Sequence, residues 1–366
     1  MIFICEKQKL QEGISIANKA ITGKTTMPIL EGIYINAKSE GLTLIGSDMD
    51  VSIETKVEAD ILEEGMIVID AKIFGEIIRK LPNSDIKIET LENDIIQITC
   101  EKSVFNLVYM NGEDYPALPS INENLSVEVQ QNILKNMIKG TSFAIAQDET
   151  RPILQGILFE VKNKNLNLVA LDGYRLAVRS EFLDNDNEIE VVIPGKTLNE
   201  VSKILEDVSD IVKITFTNNH ILFNLNNTKV ISRLLDGKFV NYSSLLPQEH
   251  KILVDVDKQH LQSCIERASL MAKDSNSNLI KLDVQEENMI ITSNSQLGKV
   301  REELSINLQG EPIQIAFNSR YLLDVLKNVD DDEIKMEMTS SVSPCVIKCK
   351  NTDNSKYLVL PVRLIR

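Results

Sequence analysis

The chain has 366 residues, with 39 basic against 54 acidic side chains, a net charge of −15, and 43% hydrophobic residues without a single Trp. That composition excludes intrinsic disorder, and at about 100 to 200 residues per domain the length predicts several domains, each able to bury its own core. No apolar run approaches the roughly 20 residues that span a bilayer, and the start MIFICEKQKL becomes charged too soon for a signal peptide, so a cytoplasmic location is expected.

Residues 7–21 predict a first helix, since Leu10, Ile14, Ala17 and Ile21 recur at spacings of three and four. Several strands follow, and a second helix is expected over 72–81. Phe74, Ile77, Ile78 and Leu81 form its apolar side, opposite Lys72, Glu76 and Arg79. The run Ile86-Lys87-Ile88-Glu89 alternates as a half-buried strand does. A polar stretch punctuated by proline, 116–126, then marks a boundary.

Beyond that boundary the pattern starts again. A helix is expected over 132–147, and Pro28-Ile29-Leu30-Glu31-Gly32-Ile33 returns as Pro152-Ile153-Leu154-Gln155-Gly156-Ile157 at an offset of 124. Lys38, Leu42, Leu44 and Asp48 keep the same offset with Lys162, Leu166, Leu168 and Asp172. Residues 196–205 repeat the second helix, and 211–216 predict a strand leading into an Asn218-Asn219 hairpin turn. A second boundary falls near 247–251. The third copy has a helix over 257–273, strands at 282–284 and 289–292, and a last helix over 320–328, without the Pro-Ile-Leu-x-Gly signature. Three α+β repeats are therefore expected, at 1–121, 122–249 and 250–366, each with two helices against antiparallel sheet.

The second helix of each repeat carries charge in register. Lys72, Glu76 and Arg79 correspond to Lys196, Glu200 and Lys203, and then to Arg320, Asp324 and Lys327. Positions i, i+4 and i+7 share a helical face, so each copy presents a plus, minus, plus stripe opposite an apolar one. For one helix a solvated face with i,i+4 ion pairs would suffice. Over 6–24, 72–81, 131–147, 196–205, 257–273 and 320–328 the net charge is +9, which leaves −24 for the rest of the chain. Cations gathered on repeated helices of an acidic protein predict one surface meant for a polyanion. Tight binding from bulk solution is not expected at this net charge, whereas placement around a duplex with weak contacts is. The cationic positions are Lys72, Arg79, Lys196, Lys203, Arg320 and Lys327, with Lys135 and Lys139 of the helix 132–147.

Several segments resemble the bacterial sliding clamp family, the beta subunit of DNA polymerase III. They are Pro28-Ile29-Leu30 with the Ser47-Asp48 turn, the run Leu171-Asp172-Gly173-Tyr174-Arg175-Leu176-Ala177-Val178, Phe317-Asn318, and Tyr357-Leu358-Val359-Leu360-Pro361-Val362-Arg363-Leu364. The resemblance spans essentially the whole chain. It implies a head-to-tail homodimer whose six clamp-type domains close a ring, with sheets outside and helices facing double-stranded DNA. It also implies a non-catalytic processivity factor placed by a clamp loader. Its partners would be the DNA polymerase III catalytic subunit and other polymerases and repair proteins that dock by short linear peptides. Lys24 matches a DNA-touching position of that family. The peptide pocket, carried over by position, would comprise Leu154, Leu171, Gly173, Tyr174, Arg175, Leu176, Val240, Leu245, Leu360, Pro361, Val362 and Arg363. From composition alone, the aliphatic members of that set read more readily as core, by about three to one.

Other signals point nowhere. Cys5, Cys100, Cys264, Cys345 and Cys349 are scattered, without Cys-x-x-Cys, and predict reduced thiols. His220, His250 and His260 form no metal pattern, Asp330-Asp331-Asp332-Glu333 reads as a solvated turn, and Asp48-Met49-Asp50 reads as a backbone-capping turn. No nucleotide loop is present, so no metal, cofactor or catalytic centre is expected.

Overall fold

The structure, a computed structural model, describes residues 1–23, 25–121, 125–272, 278–296 and 298–363. Among them are six α-helices: α1 (Lys7–Ala17), α2 (Ala71–Lys80), α3 (Gln131–Ser142), α4 (Gly195–Ile204), α5 (Lys258–Ala272) and α6 (Ser319–Leu326). All the strand pairs are antiparallel, and the chain forms two compact units, Met1–Leu134 with Lys196–Leu234 and Lys135–Gly195 with Leu235–Arg366.

The first unit holds two sheets. One is five-stranded, with Ile2–Glu6 inside and Ser103–Val108 at an edge. The other has nine strands and contains the join between repeats. Val51–Val57 of the first repeat pairs with Thr228–Arg233 of the second, and there the Thr55 and Thr228 hydroxyls meet at 2.9 Å. The alternating patterns predicted for 86–89 and 211–216 fall in the strands Asp85–Leu91 and Ile211–Phe216, and Asn218-Asn219 lies in the tight turn before His220. Helices α1 and α2 lie together on these sheets, burying Leu10, Ile14, Phe74 and Ile78 among Phe3, Ile35, Leu44, Ile88 and Ile98. Each full burial of this kind contributes about 1.5 to 3 kcal/mol. Gly13 sits so close to Val57 and Leu44 that a Cβ there would lie 2.4 Å from a Val57 methyl, so this α1 position excludes any side chain.

The second unit repeats the scheme. Its nine-stranded sheet joins the central and last repeats where Arg175–Phe182 pairs with Ser355–Val359, and its four-stranded sheet ends at Gly298–Ser305. Leu261, Ile265 and Ala268 of α5 and Leu322, Val325 and Leu326 of α6 are buried. The central repeat, expected over 122–249, thus contributes strands at 125–130 and 211–233 to the first unit and strands at 156–194 to the second.

Helices α1 and α3 end four or five residues earlier than the periodicity predicts. α1 stops at Ala17 rather than Ile21, closing in a 3₁₀ turn, Asn18–Ala20, in which Ile21 N–H reaches Asn18 O. α3 stops at Ser142 rather than Gln147. The Thr141 hydroxyl donates back to Met137 O and Ile138 O at 2.9 and 3.2 Å, and Ala146 N–H leaves the helix for Leu154 O at 3.0 Å. α5 ends at Ala272, and the last residue of its predicted span, Lys273, lies outside the described residues. The five cysteines are buried and free.

Candidate functional site

Each second helix is aimed by its cap and its apolar side. The Asp70 carboxylate accepts the Ile73 N–H at 2.7 Å to start α2, and at the equivalent place Asn318 accepts from Arg320 N–H at 3.0 Å to start α6. With Phe74, Ile78, Leu198, Val201, Leu322 and Val325 buried, Lys72, Arg79, Lys196, Lys203, Arg320 and Lys327 are left exposed. On α3, Lys139 is exposed and Lys135 half-buried. Lys24 lies outside the described residues.

The i,i+4 ion pairs considered for these stripes are absent among the described residues. Lys203 pairs instead with Glu200 at i,i+3 (2.7 Å), and Lys196 reaches Asp48 at 2.5 Å, from 148 residues away. Lys72, Arg79, Lys135, Lys139, Arg320 and Lys327 make no ion pair among the described residues. Cations held apart from local carboxylates keep their charge available to an external anion.

The Asp48 turn does what its repetition suggested. Asp48 Oδ1 accepts the N–H groups of Asp50 and Val51 at 3.1 and 2.8 Å, and Asp172 Oδ1 accepts those of Tyr174 and Arg175 at 2.9 and 3.0 Å. The second oxygen of each carboxylate was not legible in the sequence. In the first unit Asp48 Oδ2 holds Lys196 of α4, while in the second Asp172 Oδ2 accepts from Arg175 Nε at 3.0 Å, and Arg175 also pairs with Asp324 of α6. The same turn thus ties the first repeat to the second helix of the central one and, through Arg175, the central repeat to the second helix of the last. Arg175 donates further to Phe143 O at 2.6 Å and lies 4.7 Å from the centre of the Tyr321 ring, which stacks on Tyr174 at 5.9 Å. Burial pushes the Tyr321 phenol pKa up.

The residues carried over to a peptide pocket all belong to the second unit and separate by depth. Leu154, Leu171 and Leu176 are buried in one cluster with Phe239, Val346 and Leu358. Tyr174 is 59% exposed, and Val240, Leu245 and Leu360 about 40%, which is high for apolar side chains. Gly173 and Arg363 are exposed, and Pro361 and Val362 half-buried. Arg175 is not a free rim charge, since its guanidinium is enclosed by the contacts above. The terminal segment is tied down on both sides. Ser355–Val359 pairs with Arg175–Phe182 and with Cys345–Cys349, Leu360 N–H donates to Tyr174 O at 2.9 Å, and Val362 N–H donates to Ala316 O at 2.8 Å. An exposed aliphatic and aromatic surface beside fixed backbone can hold the side chains of an extended segment.

Three domain models cover nearly the whole chain: the N-terminal domain of the DNA polymerase III beta subunit over residues 1–119, the central domain over 128–241, and the C-terminal domain over 243–363. The chain belongs to the DNA polymerase III beta subunit family. The beta sliding clamp of Bacillus subtilis is 39% identical over 99% of this chain and 100% of its own length, and that of Staphylococcus aureus 37% over 94% of each. Among solved structures, the sliding clamp of Bacillus subtilis matches with a TM-score of 0.96 at 38% identity, and a Pseudomonas aeruginosa clamp bound to griselimycin with 0.94 at 27%, each covering both chains fully.

This family is the sliding clamp, a non-catalytic processivity subunit, and the two acidic segments set aside above fit that role. Asp48 is spent on backbone and Lys196. The 330–333 turn is more than solvated: Asp330 accepts from the buried Arg179 at 2.7 Å, Asp331 from Asn351 N–H at 2.8 Å, and Glu333 pairs with Lys350. Among the described residues no His, Cys, Asp and Glu cluster could hold a metal ion, and no helix is long and apolar enough to cross a membrane.

Proposed function

We propose that two copies of this sliding clamp chain close head to tail around double-stranded DNA, and that Lys72, Arg79, Lys135, Lys139, Lys196, Lys203, Arg320 and Lys327, with Lys24, face the duplex without reading its sequence. The recurrence of exposed, mostly unpaired cations on the second helix of each repeat carries this reading. Two open sheet edges suit the closure. Ser103–Val108 presents Val104, Phe105 and Val108 to solvent, and Gly298–Ser305 lies beside α5, where Leu270 is 58% exposed. Domains at 1–121, 122–249 and 250–366, one per repeat, would then number six in the ring, in the cytoplasm.

In this reading a clamp loader places the ring. The DNA polymerase III catalytic subunit, other polymerases and repair proteins dock short peptides on the surface of Gly173, Tyr174, Val240, Leu245, Leu360, Pro361, Val362 and Arg363. Leu154, Leu171 and Leu176 lie beneath as its floor, and Arg175 fixes Tyr174. Tethering replaces repeated encounters by a high effective concentration of polymerase at the primer end. The test is topological. Protein loaded on a nicked circle is expected to stay through a high-salt wash and to leave once the circle is cut. Release at the same rate from intact and cut DNA would refute encirclement.

A further inference from the structure

Residues 236–248 lead from the last strand of the central repeat toward the first strand of the last, and pack on the apolar cluster of Leu154, Leu171 and Leu176. Backbone fixes the chain on either side of them: Leu235 N–H donates to Val192 O at 2.9 Å, and Lys251 N–H to Met338 O at 3.0 Å. From 236 to 248, no backbone-to-backbone hydrogen bond reaches the rest of the chain among the described residues. Side chains hold the segment instead. Phe239 is buried, Tyr242 and Leu246 are half-buried, and its other residues are exposed. We infer that Tyr242 is a positioning residue: its hydroxyl, latched to Glu160, sets this segment so that Val240 and Leu245 face a docked peptide. The role rests on the peptide docking proposed above.

Tyr242 Oη donates to Glu160 Oε2 at 2.7 Å. Among the described residues it is the one side-chain hydrogen bond that joins 236–248 to the sheet, since the Ser244 hydroxyl turns back to Asn241 O at 2.8 Å. The acceptor is prepared in advance. Glu160, Asn167 and Ser180 lie side by side on three neighbouring strands, where Glu160 Oε2 also accepts the Asn167 amide at 2.9 Å and Asn167 Oδ1 accepts the Ser180 hydroxyl at 2.6 Å. A carboxylate held by such a row offers its oxygen in one direction. Burial, reinforced by the bond to Glu160, pushes the Tyr242 phenol pKa up, so Tyr242 stays a donor at neutral pH.

Val240 and Leu245 stand two residues before and three after Tyr242, 40% and 44% exposed, and Leu245 closes the 3₁₀ turn that Tyr242 opens. Packing of Phe239 is non-directional and fixes how deep the segment lies, whereas the hydrogen bond fixes which way the turn points. Aliphatic side chains on a segment without a ladder sample many arrangements that binding must then restrict. A latch that restricts them beforehand spares the partner that loss.

The test uses the full-length protein with the DNA polymerase III catalytic subunit as probe. Tyr242→Phe, which keeps the ring and loses the hydroxyl, and Glu160→Ala are each expected to weaken binding about tenfold, and the double variant no further, because both remove the same bond. Glu160→Gln still offers an oxygen and should restore binding to within about twofold of wild type. Leu360→Ser, altered on the docking surface outside the segment, is the reference. Weakened binding by Leu360→Ser with none by Tyr242→Phe overturns the latch and leaves the surface standing. Unchanged binding by Leu360→Ser overturns the surface itself, and the positioning role with it.

Cleavage by thermolysin separates positioning from a general structural part. In Glu160→Ala, whose segment keeps its native sequence, cleavage within 236–248 should quicken about tenfold ahead of cleavage elsewhere, because proteolysis follows local opening. Equal rates in wild type and Glu160→Ala, or a rise spread over the whole chain, refute the latch. Tyr242→Phe, which fills the same space, keeps the binding test sound if Glu160→Ala fails to fold.

Discussion

Replacing Arg175 by Met keeps most of the side chain's length and removes its charge, so the cost follows from what the guanidinium touches. Asp324 is 38% exposed and can rehydrate, so losing that pair costs about 0.5 kcal/mol. Asp172 is 14% exposed and keeps its two backbone N–H donors, but it loses a charge-assisted bond from Nε worth about 1.5 to 2 kcal/mol. Phe143 O loses its 2.6 Å donor, about another 1 kcal/mol. Arg175→Met should therefore destabilise the second unit by about 3 kcal/mol. Urea unfolding followed by near-ultraviolet circular dichroism reads this directly, because the stacked Tyr174 and Tyr321 belong to the same cluster. In double-mutant cycles, coupling of Arg175 to Asp172 (with Asp172→Asn) should exceed coupling to Asp324 (with Asp324→Asn) by about 1 kcal/mol. Equal couplings, or a total loss under about 1 kcal/mol, would show that exposure does not rank these contacts.

Two more outcomes are expected. Met49 and Gly173 occupy the same place in successive repeats, both with positive φ, +76° and +93°. Since the left-handed conformation costs a side chain about 1 to 2 kcal/mol and glycine returns part of this as unfolded-state entropy, Met49→Gly should stabilise by about 0.5 to 1 kcal/mol. Gly173→Ala should destabilise, because its Cβ would also lie 3.3 Å from Arg151 Nη1, and a urea midpoint for each variant decides both. Stability should also fall on the alkaline side. Burial pushes the Cys5 thiol from 9.0 up to about 11, and pushes the Cys345 thiol and the Tyr115 phenol higher still. With these pKa values raised by folding, the unfolded chain deprotonates first. Their contribution is complete below about pH 9; that of Cys5 is lost as pH climbs through 11, and those of Cys345 and Tyr115 go on falling above it. A urea midpoint that stays level from pH 8.5 to 11 would contradict this.

What could be read from the sequence was whatever repeats or alternates locally. The offset of 124 exposed the repeats because the Pro-Ile-Leu-x-Gly and Asp turns are short contiguous signals, and the helix faces followed from spacing alone. Helix ends were less legible. α3 stops where Thr141 turns its hydroxyl back and Ala146 finds Leu154 O, a partner that no periodicity reveals. The links of Asp48 to Lys196 and Arg175 to Asp324 span 148 and 149 residues, so neither could be seen as a pair, although both members lay on motifs already singled out. Depth misled in the other direction. Leu154, Leu171 and Leu176 look like Leu245 and Leu360 in the sequence, yet the first three are buried and the last two are not.

The strand ladders that bind neighbouring repeats, from Val51 with Ser232 to Thr55 with Thr228 and from Arg175 with Val359 to Arg179 with Ser355, set where the molecule yields under load. Separating repeats at either ladder means stripping several main-chain bonds at once, and every one left without water would resist. In the ring proposed above, the bare margins at Ser103–Val108 and Gly298–Ser305 would meet with no strand ladder of a single chain across them, so such a ring would part there first.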